Sequence, residues 1–201
     1  MRRTTMLVVC TLGLALCGGH AAAQAQPADT LKVDYFAYAH TTGAPDGTLR
    51  LTNPGTSGGN LCAAIYVFDP EQELSECCSC LLTPNGLRTL SVNSDLTNNP
   101  LTGVVLKTGL ISIVSTPTTA GQCPFPVTLT PFPALRAWAT HIDQTSLRII
   151  GQPFNMAGFA GSVAASQDAT LSSTEVTELA NACHAIVLGT SGGICTCGTG
   201  D

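Results

Sequence analysis

The stretch E-C-C-S-C, Glu76 to Cys80, and the later C-T-C, Cys195 to Cys197, place five sulfurs in two short segments. Three chemistries use thiols at such spacing. A metal site would take Cys77-x-x-Cys80, the spacing of a zinc knuckle, and complete four thiolates with Cys195 and Cys197. A redox device would need one of those thiols at a lowered pKa, and the adjacent carboxylate of Glu76 works against that. Disulfide staples need only an even count and an oxidising compartment.

The compartment decides between them. Met1-Arg2-Arg3, an apolar run from Met6 to Cys17 and the small residues Ala21 to Ala25 form the three regions of a secretory signal peptide, cleaved near Ala25. The apolar run is shorter than the roughly 20 residues that a spanning helix needs. Residues 26–201 are therefore expected outside the cytoplasm, secreted, extracellular or periplasmic, with no transmembrane segment. Cys10 and Cys17 leave with the leader, and eight cysteines stay: Cys62, Cys77, Cys78, Cys80, Cys123, Cys183, Cys195 and Cys197. Eight cysteines in an exported chain read as up to four disulfides, with on the order of 100 possible pairings. Cys77 and Cys78 point in different directions and take separate partners, whereas Cys195 and Cys197, if extended, project to one side. The economical arrangement clamps the C-T-C tail to the Cys183 helix and the E-C-C-S-C loop, and gives Cys62 and Cys123 the remaining bonds.

Other residues capable of chemistry are sparse. Gly-Thr-Ser-Gly-Gly occurs at Gly55 to Gly59 and at Gly189 to Gly193, and the second copy resembles the G-D-S-G-G around the nucleophile of trypsin-like proteases, with His40 upstream. Thr190 stands where that family has Asp and Thr41 follows where it has Cys, so both copies read as turn chemistry. His40, His141 and His184 lie far apart in sequence. Paired carboxylates for glycoside hydrolysis would come from Asp69, Glu71, Glu73 and Glu76, the first three on a short helical turn with Pro70 at its first position. The acids lack the spacing of a calcium loop, and no nucleotide or phosphate-cradling fingerprint occurs, so no cofactor is implied.

Composition narrows the partners. Only 10% of the residues are charged, and removing the leader takes two of eight bases and none of thirteen acids, moving the net charge from −5 to −7. Scattered bases on an acidic chain exclude nucleic acid as a partner. The elements that must position the cysteines read as strands. Leu31–His40 alternates, and a Gly43–Gly47 turn makes it a hairpin with Thr48–Asn53. Leu61–Phe68, LCAAIYVF, is apolar on both faces and belongs at the centre of a sheet. Leu87–Asn93, Val104–Ser115 broken at Gly109, Ala134–Ile142 and Leu147–Ile150 follow. Ser172 and Glu175 form a capping box ahead of Val176, Leu179, Cys183 and Val187, so a helix runs over about 172–188, and the Ala/Gly/Ser-rich stretch 157–169 before it reads as a linker.

The fold expected is mostly β: one immunoglobulin-like antiparallel β-sandwich over 26–201, stapled by disulfides, with one C-terminal α-helix and a Cys-rich tail. The function expected is a non-catalytic structural or adhesive domain whose partner is a cell-surface or matrix protein. The rivals are a secreted hydrolase using His141 or the Asp69–Glu76 acids, and a thiolate metal-binding domain.

Overall fold

Ten strands and one α-helix are seen in a computed structural model, which describes residues 30–98, 103–148, 155–188 and 193–198. The leader read at residues 1–25, the second Gly-Thr-Ser-Gly-Gly up to Gly192 and the end of Leu147–Ile150 lie outside the described residues. The strands are β1 (Leu31–Phe36), β2 (Thr48–Thr52), β3 (Leu61–Phe68), β4 (Leu74–Leu82), β5 (Leu87–Ser91), β6 (Gly109–Pro117), β7 (Arg136–Arg148), β8 (Asn155–Ala165), β9 (Gln167–Ala169) and β10 (Gly193–Ile194); the helix α1 is Ser173–Val187.

They make a six-stranded sheet in the order β10-β4-β3-β6-β1-β9 and a four-stranded sheet in the order β5-β2-β7-β8. Leu61–Phe68 is the reason for this layering. With no polar face to give to water, β3 must be covered on both sides. Leu61, Ala63, Ile65 and Val67 pack with Leu49 and Leu51 of β2, Leu90 of β5 and Ala137 and Ala139 of β7, so the two sheets meet face to face. Ala64 and Tyr66 point the other way, into a second apolar cluster with Cys183 and Ile186 of α1. The layers are thus helix, six-stranded sheet, four-stranded sheet. Burial of each such Ile or Leu contributes on the order of 2 kcal/mol.

The helix starts where the capping box places it. The Ser172 hydroxyl accepts from the Glu175 N–H, and the Glu175 carboxylate accepts from the Ser172 N–H, which satisfies two amides that have no partner inside the helix. Gly109 opens β6 because any side chain there would meet the Phe36 ring, 2.8 Å from where a Cβ would stand.

Four expectations need correction. β1 and β2 form no hairpin: β1 pairs with β6 and β9, and β2 pairs with β5 and β7. The connection crosses from one sheet to the other through Tyr38 and His40, both at positive φ. E-C-C-S-C is no loop but the middle of β4, paired with β3 from Leu61↔Leu82 to Phe68↔Leu74. The stretch read as a linker is β8 and β9, and β8 pairs with β7 in unbroken register from Trp138↔Ala165 to Arg148↔Asn155. Asp69–Glu73 is a turn instead of a helical one: the Gln72 N–H donates to the Asp69 carbonyl, and the Glu73 N–H donates to the Asp69 carboxylate.

Candidate functional site

Because E-C-C-S-C is a strand, its neighbours point to opposite faces, and the sulfurs sort accordingly. Cys77 faces the helix and bonds Cys183 of α1, with Cα atoms 6.0 Å apart. Cys78 and Cys80 face the space between the sheets and bond Cys195 and Cys197, at Cα separations of 5.2 and 5.4 Å. Cys62, on the helix side of β3, bonds Cys123 and ties down a segment whose Pro126 carbonyl accepts from the buried Tyr66 hydroxyl. The tail is therefore clamped twice to β4 and not at all to the helix, which Cys77 holds on its own.

Around the two tail bonds lies a clasp. Gly193 and Ile194 run parallel to Glu76 and Cys77 at the edge of the six-stranded sheet. Thr196, between the paired cysteines, turns to the other sheet: its hydroxyl and amide donate to the carboxylate and carbonyl of Asp95, at 2.7 and 2.9 Å. Asp95 sits on the single π-helical turn Val92–Leu96 that follows β5, and its second oxygen accepts from the Ser91 N–H. The Arg88 guanidinium of β5 donates to the carbonyls of Cys197 and Leu81. The segment 193–198 thus forms the edge of one sheet beside β4 and bridges to edge strand β5 of the other.

This geometry also tests the thiolate site. Cys77 looks away from Cys80, Cys195 and Cys197, so the set Cys77, Cys80, Cys195 and Cys197 does not converge on one ion. The sulfurs that do gather, Cys78, Cys80 and Cys197, lie within 4.8 Å of one another because adjacent disulfides bring them there.

The acid cluster separates in the same way. Glu71 and Glu73 are exposed and Asp69 is engaged by the turn, while Glu76 is 1% exposed on the inter-sheet face of β4. Neither Glu76 oxygen meets a hydrogen-bond partner among the described residues, and burial pushes its carboxyl up to about 7. The sequence offered no sign of this, since Glu76 reads there as one more surface acid.

His141 has a partner that sequence reasoning missed. Its Nε2 lies 3.4 Å from a carboxylate oxygen of Asp34 on β1, and the Ser166 hydroxyl donates to the other oxygen. The Tyr35 ring packs on the imidazole at 4.1 Å between centroids. Burial raises the Asp34 carboxyl, against the hydrogen bonds from Ser166 and His141 that lower it. Serine, histidine and aspartate meet here, but in the wrong order for hydrolysis. In a nucleophilic triad the imidazole stands between hydroxyl and carboxylate and takes the hydroxyl proton. Here the carboxylate stands in the middle, so no imidazole is placed to take the Ser166 proton.

His40 is likewise occupied, its Nε2 2.9 Å from the Thr97 hydroxyl. Ser57, in the first Gly-Thr-Ser-Gly-Gly, bonds the Gly59 carbonyl and Asn53 and serves a turn. Asn53 is that turn's organiser: wholly buried, it donates to the carbonyls of Gly59 and Leu82 and accepts from Gly55 and Ser57.

Two clefts complete the picture. One of about 680 Å³ has Trp138, Arg136, Lys32 and Asp168 on its walls, with Lys32 and Asp168 paired to each other. Neither Asp34 nor His141 lines it. A second of about 420 Å³ lies between α1 and the six-stranded sheet, lined by Leu31, Phe68 and Leu179 with Asp69, Glu175 and Glu178. Glu175 is committed to the helix cap, which lowers its pKa through the hydrogen bonds from Ser172. Ser112 of β6 also lines this second cleft. No described helix is long and apolar enough to cross a membrane. Comparison with known families, curated proteins and solved structures finds no match.

Proposed function

We propose that the chain is an exported, non-catalytic structural or adhesive domain, acting outside the cytoplasm after cleavage near Ala25, with a cell-surface or matrix protein as its partner. The observation that carries this reading is the seam of four disulfides, Cys62–Cys123, Cys77–Cys183, Cys78–Cys195 and Cys80–Cys197. Bonds of this kind persist in oxidising compartments, and here they fix helix, loop and tail to two adjacent strands. A fold held this way keeps its shape without metal or partner, which suits a domain that presents surface. Support for an immunoglobulin-like sandwich reaches to two face-to-face sheets and stops there. The sheets hold six and four strands, one edge pair is parallel, and immunoglobulin sheets hold about four and three.

The test is fractionation of the native host with mass spectrometry of the N-terminus, alongside turnover assays on ester, glycoside and peptide substrates. A chain outside the cytoplasm that begins after Ala25 and turns over nothing supports the proposal. A cytoplasmic chain that keeps Met1, or a turnover abolished by His141→Ala, overturns it and favours the hydrolase.

A further inference from the structure

The strand β8 stands at the edge of the four-stranded sheet and pairs on one side only among the described residues. It is 11 residues long, Asn155–Ala165, NMAGFAGSVAA. Exposed edges of this length are ordinarily blunted by charge, proline or a bulge, because their open amides and carbonyls template pairing with another chain. β8 has none of these. Between Arg148 and Asp168 the chain carries no charged residue, the strand holds no proline, and its register with β7 is unbroken. Ala160 to Val163 are exposed, Val163 to 61%.

The open groups can be assigned. The Ser166 N–H donates to the Ala137 carbonyl, and Ala137 and Ser166 continue the β7–β8 register. Hydrogen-bonded and non-bonded pairs alternate in antiparallel strands, so Gly158, Ala160, Ser162 and Ala164 bond β7. The backbone groups of Ala157, Phe159, Gly161, Val163 and Ala165 turn outward. Gly158 and Gly161 keep the strand slender, a feature of sites where another backbone approaches closely.

We propose that β8 is the docking edge for β8 of a second copy of this chain, the two strands pairing antiparallel about a two-fold axis to join two four-stranded sheets into one of eight. Pairing centred on Gly161 sets Phe159 opposite Val163 of the other copy and the reverse, the self-complementary pattern a two-fold axis requires. Charge selects the second copy over an unlike partner. Without its leader the chain is acidic, at −7 from six bases and thirteen acids, and would repel itself over most of its surface, yet this strip is neutral and offers a charged partner nothing to pair with. An 11-residue antiparallel strand runs about 37 Å. A single pair of strands is a small contact, so the dimer is reversible and depends on concentration.

Sedimentation velocity of the oxidised protein across the micromolar range is the test. The expected result is a monomer that becomes a dimer as concentration rises, more readily as salt screens the repulsion between two acidic copies. Val163→Pro removes an outward amide and leaves the β7 ladder intact, and Val163→Lys charges the edge; both should stay monomeric, with melting curves like the wild type's. Val163→Thr should dimerise as the wild type does. If Val163→Pro fails to fold, Val163→Lys decides. A wild type that stays monomeric throughout, or a dimer that Val163→Lys leaves unchanged, overturns the proposal.

Discussion

Replacing Glu76 by glutamine keeps the volume of the side chain and removes its titration. The wild-type carboxyl is 1% exposed, lacks hydrogen-bond partners and has its pKa raised from the ordinary 4.5 to about 7 by burial. The folded state therefore holds the Glu76 proton more tightly than the unfolded chain does. Below pH 4.5 both states are protonated and the group contributes nothing. Between about 4.5 and 7 the unfolded chain releases its proton first, so stability falls as pH rises, and above 7 the loss is complete. At 1.36 kcal/mol per tenfold difference in proton affinity, the full loss is about 3 kcal/mol. Urea unfolding of wild type and Glu76→Gln from pH 4 to pH 8.5 reads this directly. The glutamine amide is also buried without partners, but its penalty is independent of pH and shifts only the baseline. Asp34, whose pKa burial also raises, is common to both proteins and cancels. The stability difference should swing toward the variant by about 3 kcal/mol over that range. A difference that stays flat with pH would refute the placement of this carboxyl between the sheets.

Other perturbations follow from the same contacts. Removing either tail disulfide, by Cys78→Ser with Cys195→Ser or by Cys80→Ser with Cys197→Ser, opens only the small ring that it closes with its neighbour and should cost about 2 kcal/mol in chemical denaturation. Removing both opens the longer ring closed through Cys77–Cys183 and should cost about 5 kcal/mol, more than the two separate losses combined. Asn53→Ala strands the buried Leu82 carbonyl and the half-buried Gly59 carbonyl and should lower stability by about 2 kcal/mol or more, measured by urea midpoint. Gly109→Ala drives a methyl into Phe36 and the β3 backbone and should cost about 2 kcal/mol in the same assay.

How far the sequence was legible depended on what each segment spent its side chains on. LCAAIYVF showed both of its buried faces, since a strand covered by a sheet and by a helix has no polar positions left. The capping box at Ser172 and Glu175 marked a helix start because both partners lie within one turn. β8 was missed because Ala, Gly and Ser give neither alternation nor β propensity, and its strand character comes from the register it shares with β7. The E-C-C-S-C strand was hidden for a related reason: its core-facing residues are cysteines and a glutamate, which do not read as apolar alternation. The false hairpin arose because Gly43–Gly47 marks a turn without saying which sheet the chain enters next. Asp34 and His141 lie 107 positions apart, so no local pattern could pair them.

The account rests on a tail held to β4 by sulfur–sulfur bonds. Protein purified from an oxidising compartment, alkylated under denaturing conditions before and after reduction and then mapped by mass spectrometry, examines that claim directly. The expected result is no alkylation before reduction, and peptides linked as Cys62–Cys123, Cys77–Cys183, Cys78–Cys195 and Cys80–Cys197. Free thiols at Cys78, Cys80, Cys195 and Cys197, accompanied by stoichiometric zinc whose removal by chelator unfolds the protein, would contradict it.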